Sequence, residues 1–438
     1  MKSLLKVITG SLLMTAMFWG LSGCKDSFIE EHTYTANVPI YMSWSDLRKS
    51  SDPMPPEPIA EQGKIYIKDN LLFVNEKYKG IHVFDNTNPA SPLDRGFISV
   101  PGNVDLAIKG NFLYADSYVD LVVFDISEIG NPKEIYRMKN IFPYTIPETT
   151  AAFPISQIDT AKGVIIGWKV EQITERTDQP NYRGMTFFYD KGMNSFLSAS
   201  PSSSSGSSVT TQVVGVGGSL ARFIIFSDQL FALNNNNNSL QLIDIANPLQ
   251  LSAGKKIILN RTAETLFMEG INLFIGTQTG MLIYDLTAPA NPVYVSEYNH
   301  FKSCDPVVVS DGYAYVTLRS GNNCGNFSNV MDVIDLHVIT SPQLVKSYPM
   351  TAPYGLGIDN KTLFICDGSA GLKIYDVSDR LRIDEHLIKT FADIDATDVI
   401  PAGASLIVLA RDGIYQYKYS DLQDIQLLSR IPYVPTVK

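Results

Sequence analysis

One pattern recurs along this chain from residue 63 onward, and it restricts the fold more than any other feature. An apolar run is followed by a short polar turn and a second apolar run that closes on Asp. The clearest copies are Leu71–Val74 with Gly80–Asp85, Phe112–Asp116 with Leu121–Asp125, Leu230–Leu233 with Leu240–Asp244, and Leu273–Gly276 with Gly280–Asp285. Tyr313–Val316 with Val330–Asp335, and Leu363–Asp367 with Leu372–Asp376, continue the series. Two copies are worn: Val164–Trp168 with Met185–Asp190, and Leu406–Leu409 with Gly413–Tyr417, where Lys418 stands in place of the Asp. The closing positions are spaced 40, 65, 54, 41, 50, 41 and 42 residues apart. A unit of about 41 residues, interrupted by insertions, is the signature of a repeat architecture.

Each unit has room for four short strands. In the second unit these read as Asp105–Lys109 (a), Phe112–Asp116 (b), Leu121–Asp125 (c) and Glu134–Met138 (d). The strands are nearly continuous runs of Val, Ile, Leu, Phe and Tyr, as expected where a sheet is covered on both faces. The expected fold is therefore an all-β propeller of four-stranded blades. The count of copies gives eight blades, with seven as the alternative. Ring closure is expected from side-chain packing between the first and last blades, with Tyr34–Arg48 as a segment that could lie across that seam. The closing Asp residues are read as turn formers whose carboxylates accept backbone N–H groups two residues on.

These motifs resemble the LVIVD-repeat family, named for an apolar c-strand ending in Asp. Leu121-Val122-Val123-Phe124-Asp125 and Leu372-Lys373-Ile374-Tyr375-Asp376 are the nearest copies, and Ile126-Ser127, Val377-Ser378, Asn88-Pro89 and Asn291-Pro292 fit the following turn. The resemblance covers roughly residues 63–430. It implies a propeller of bacterial secreted type, largely from Bacteroidetes, and says little about activity.

The first two dozen residues read as an address and an anchor. Lys2 and Lys6 precede the apolar stretch Val7–Gly20, 14 residues long and too short for a spanning helix of ~20. Leu21-Ser22-Gly23-Cys24 resembles a bacterial lipobox, which makes Cys24 the lipidated residue of a lipoprotein. Acyl chains on one cysteine hold a protein on a membrane at ~0.8 kcal/mol per buried CH₂. The acidic Lys25–Glu31 segment resembles the surface-export signal of Bacteroidetes lipoproteins. The expected organisation is a signal peptide (1–23), a lipidated tether with a Pro-rich connector (24–62), and one propeller domain (63–438). The expected location is the outer membrane, lipid-anchored, facing either the cell surface or the periplasm.

In a four-stranded meander, the b–c and d–a connections emerge on one side. The long connections Asn140–Pro154, Val170–Gly184, Ser198–Gly218 and Arg319–Asn329 all belong to these two classes, so they are expected to crowd one rim. Loops held by a rigid scaffold are where binding concentrates. Phe142, Tyr144 and Tyr182, with Tyr78 and Tyr118 in the b–c turns of units one and two, offer flat surfaces for sugar rings or peptide side chains. Asn236, in a run of five Asn, and Arg319 add polar contacts. Asp105, Glu264, Asp305 and Asp398 sit near the starts of a-strands, where grouped carboxylates could hold Ca²⁺. No DxDxDG loop supports that site, and no other cofactor is expected. Cys304 and Cys324 flank one unit on the same rim, and an exported compartment permits a disulfide between them.

Net charge is -10, and becomes -10 - 2 = -12 once the two lysines of residues 1–23 are removed. That balance argues against nucleic acid as a partner. Five scattered His with no HExxH or CxxC pair leave little for a zinc enzyme. Three functional classes stay open: a non-catalytic binding scaffold for a glycan or protein, an enzyme acting on polysaccharide (a lyase or glycosidase), and a structural subunit of an envelope complex. The first is the expected function.

Overall fold

The computed structural model describes residues 30–50, 53–60, 63–149, 152–177, 216–234, 238–299, 306–320, 329–403 and 405–434. The chain divides into two compact units. One comprises Met1–Met42 and Pro147–Ser203, the other Ser43–Ile146 and Ser204–Lys438.

The larger unit is a propeller of seven four-stranded blades, each an antiparallel meander. Blade 1 is Ile65–Lys68, Leu71–Glu76, Gly80–Asp85 and Leu93–Ser99, and blade 2 is Leu106–Lys109, Phe112–Ser117, Asp120–Asp125 and Lys133–Met138. Blades 3 to 7 begin at Phe223, Ala263, Val307, Leu356 and Ala396, and the last d-strand is Gln426–Pro432. Blade 1 carries two extra short strands: Val216–Gly217 pairs with its a-strand and Pro53–Met54 with its d-strand.

The eight-blade expectation is corrected by the worn third copy. Val164–Thr177 is one long strand paired over its length with Glu30–Met42, forming the two-stranded ribbon of the smaller unit. Tyr34–Met42 forms part of this ribbon. Met185–Asp190 lies outside the described residues. An apolar run such as Val164-Ile165-Ile166-Gly167-Trp168 pairs with whatever edge is presented to it, and here that edge is not a neighbouring repeat. It follows that Asn140–Arg222 is a single d–a insertion between blades 2 and 3. The propeller is therefore not continuous over 63–438.

Repetition of sequence becomes repetition of geometry. In six blades the first residue of the a–b turn has positive φ: Asp69, Gly110, Ser227, Gly270, Asp311 and Asn360. All seven c–d pairs carry a register shift near their middle, from Val83/Phe84 in blade 1 to Gln416/Tyr417 in blade 7. Such bulges raise local twist and bend the outer strand. A glycine opens the c-strand in blades 1, 4 and 7; at Gly280 a Cβ would lie 1.9 Å from the Tyr298 carbonyl oxygen, so only glycine permits that pairing. The closing Asp residues act as turn formers: Asp85, Asp125, Asp244, Asp285, Asp335 and Asp376 each accept the backbone N–H two residues on. That bond holds the Asp125 carboxyl below the usual range, and at Asp285 the Thr287 hydroxyl leads with its backbone N–H behind it, while at Asp85 the Arg95 guanidinium leads and the value falls to about 2.

Packing between faces of adjacent blades forms the core. Six apolar clusters run around the ring and join blades 1–3, 3–4, 4–5, 5–6, 6–7 and 7–1. The last of these closes the ring with Ile65, Leu72 and Val74 against Ile400, Ile407 and Leu409. Asn86 and Gln416 exchange amide hydrogen bonds of 2.9 and 2.8 Å across the same seam, and Ser429 donates to the Pro89 carbonyl. Among the described residues no strand is shared between first and last blades, so closure there rests on these side chains, as the sequence pattern implied.

Candidate functional face

The b–c and d–a connections of the propeller converge on one face, and two groups of aromatic and cationic side chains stand there. In blade 1 the b–c turn places Tyr78 in the left-handed region at φ 66°, and blade 2 does the same with Tyr118 at φ 55°. The two rings are parallel to within 3°, centroids 6.4 Å apart, and Lys77 Nζ lies 5.0 Å from the Tyr78 centroid. Tyr78 is 45% exposed. The pair is fixed from below. Tyr78 donates its N–H to the Asn103 carbonyl at 2.7 Å and accepts from Gly102 N–H at 2.9 Å. Gly102, at φ +81°, leaves room for Tyr118: a Cβ there would fall 2.2 Å from the ring. Burial, with the Tyr78 phenol nearby, pushes Tyr118 up to about 12. A non-glycine residue rarely adopts left-handed backbone unless its surroundings impose it. Two tyrosines held so, with parallel rings, make a preformed aromatic platform.

The second group lies at blades 5 to 7. Arg319 stacks over Tyr354 at 3.9 Å, and Arg411 donates to the Tyr354 hydroxyl at 3.0 Å while pairing with Asp395 at 2.7 Å. Guanidinium groups are weakly hydrated and stack well on aromatic faces.

Between the two groups, the centre of the ring is filled by the chain itself. Gly218 N–H donates to Ile65 O of blade 1 at 3.4 Å, and Arg222 N–H to Asp105 of blade 2 at 2.5 Å. Ala221 O accepts from Leu266 of blade 4 at 2.8 Å. Ser219 Oγ donates to Asp398 of blade 7 at 2.9 Å and accepts from Leu356 N–H of blade 6 at 3.0 Å. Residues 216–222 thus bond to five of the seven blades. Lys64 pairs with Asp105 at 2.5 Å, and burial lowers the ammonium's pKa. Burial raises Asp398 to about 6 despite its bonds from Ser219 and Val399. Asp116 also rises to about 6 by burial, although it accepts from Val104, Asp105 and Asn103.

The structure distributes the expected site residues as follows. Tyr78, Tyr118 and Arg319 are on this face. Asp105 and Asp398 do approach the axis, but each is engaged by protein groups. Glu264 accepts from Gln278 at 3.3 Å. Phe142 is corrected: it is a core residue, its ring 5.8 Å from Phe223 and its N–H bonded to Val119 O, because the d–a strand exit folds it between blades 2 and 3. Tyr144 is half-buried and has a partner. Cys24, Tyr182, Asn236, Cys304, Asp305 and Cys324 lie outside the described residues. Cys366 is buried and free in its b-strand. Tyr354, Arg411 and Ser219 carry no motif in the sequence, Ser219 standing just past the long Ser198–Gly218 connection.

Comparison with known proteins agrees with the geometry. Residues 102–139 match the LVIVD repeat model. That stretch is blade 2 with the connection leading into it. No curated protein matches the chain. Among solved structures, a crystal structure of a protein from Lactobacillus plantarum is similar at 11% identity and TM-score 0.51, covering 85% of this chain and 97% of that one. A computationally designed protein aligns at 10% identity and TM-score 0.48, covering 87% and 93%. At such identities the likeness to the first concerns the fold alone.

Proposed function

We propose that this protein is a lipid-anchored, non-catalytic binding scaffold of the bacterial outer membrane, which presents the b–c/d–a face of its propeller to a glycan or protein ligand. The observation that carries the reading is the Tyr78–Tyr118 platform, parallel, partly exposed and fixed by left-handed backbone. Rigid aromatic surface of this kind binds with little loss of side-chain entropy. Arg319 with Tyr354 supplies a second contact point across a centre closed by residues 216–222. The carboxylates nearest the axis, Asp105, Asp116 and Asp398, accept bonds from backbone, Lys64 and Ser219. A lyase or glycosidase would need such groups open to substrate. Anchoring rests on Leu21–Cys24.

Binding of the purified soluble chain to a glycan array, and capture of envelope proteins, test the reading. Replacing both Tyr78 and Tyr118 by Ala should weaken whatever binds at least tenfold while leaving the Tm within a few degrees. Unchanged binding by a folded double variant, or turnover of a polysaccharide, would overturn it. Cys24→Ala should release the protein from membrane fractions.

A further inference from the structure

We propose that Glu57, Glu76 and His82 form a site for a divalent transition metal, of which Zn²⁺ is the best match, clasping the Pro-rich connector to blade 1. The three residues present ligand atoms that all lie within 4.8 Å of one another. Zinc holds N and O ligands at ~2.0–2.2 Å, so two ligands of one ion lie at most about 4.4 Å apart. A small rotation of the half-exposed Glu57 closes that gap. Two carboxylates and an imidazole are a donor set suited to zinc, and three protein ligands leave a position open for water.

The placement is built by the fold. Glu76 ends the b-strand of blade 1 opposite Gly80, and His82, opposite Val74 on the c-strand, is its diagonal neighbour on the same face; both side chains are buried. Glu57 arrives on the connector, which is tied down on either side. Pro53–Met54 pairs with the d-strand of blade 1. Beyond Glu57, Ile59 O accepts from Val434 N–H at 2.8 Å, and Ala60 N–H donates to Glu76 Oε2 at 3.3 Å.

His82 Nε2, 2.9 Å from Glu76 Oε2, is the ring nitrogen that faces the carboxylates. Glu57, whose ligand oxygen lies within 4.8 Å of theirs, has no hydrogen bond or ion pair to any described residue. Glu76 also accepts from Ala60 N–H and from the half-exposed Lys79. A divalent ion would replace the His82–Glu76 hydrogen bond and join the imidazole to both carboxylates.

Titration calorimetry of the full chain with ZnCl₂, with Co²⁺ absorption as a spectroscopic readout, tests the site. One equivalent should bind with a Kd of micromolar or below and raise the Tm. Glu57→Gln, on the connector surface, should keep the fold and weaken binding at least tenfold. His82→Gln should abolish the Co²⁺ spectrum of a nitrogen-containing site. Absence of zinc binding at 100 μM, or binding and spectrum that survive Glu57→Gln, would overturn the proposal.

Discussion

Asp398→Asn is a direct test of the axial arrangement. The carboxyl is 1% exposed, and burial raises it from 3.8 to about 6. A group whose folded value lies above its unfolded one stabilises fully below pH 3.8 and loses that contribution as pH rises through 6. A shift of about two units corresponds to a differential on the order of 3 kcal/mol. The Asn side chain keeps an acceptor oxygen for Ser219 and for Val399 N–H while removing the charge. Lys64 is the neighbouring cation that offsets part of the cost. Urea unfolding at pH 4.5 and 7.5 should therefore show the wild type losing about 2 kcal/mol more than the variant across that interval, the rest of the differential being lost below pH 4.5. Asp116 titrates in the same direction in both proteins and cancels from the difference. The depressed carboxyls at the c-strand ends act in the opposite sense, and only below the lower pH chosen. Equal pH slopes, or a variant less stable at pH 7.5, would refute the claim that a charge is buried there against solvation.

Three further outcomes are expected. Gly218→Ala would set a Cβ 2.0 Å from Asp398 Oδ2 and should cost about 1–3 kcal/mol by forcing the axial segment outward, read as a lowered Tm. Gln416→Leu leaves Asn86 without its reciprocal amide at the ring seam, and chemical denaturation should register a loss of about 1–3 kcal/mol. Mass spectrometry of the unreduced, exported protein should show Cys304 and Cys324 joined; free thiols at both would dismiss that bridge.

Local rules were legible wherever one residue's conformation depends on its near neighbours. The Asp that closes each c-strand, the minimal a–b turns and the unbroken apolar runs of b- and c-strands all reappear in the blades. Copy eight, worn by Lys418, still forms a blade because its a-, b- and d-strands are intact. Copy three fails because Val164–Thr177 continues past its apolar run into alternating polar residues and meets Glu30–Met42. Phe142 reads as a surface aromatic in a long connection, yet it is drawn into the core beside Phe223. The Glu57–Glu76–His82 group has no motif, since its members join a connector to two neighbouring strands.

The amino-acid pattern by itself determined the repeating blade: strand length, turn chemistry and a sheet buried on both faces follow from interactions within about 40 residues. Tertiary structure decided how many blades close the ring, that residues 216–222 fill its centre, and which polar groups are left facing one another. Those outcomes depend on contacts between residues far apart in sequence, whose chain-entropy cost no local pattern records.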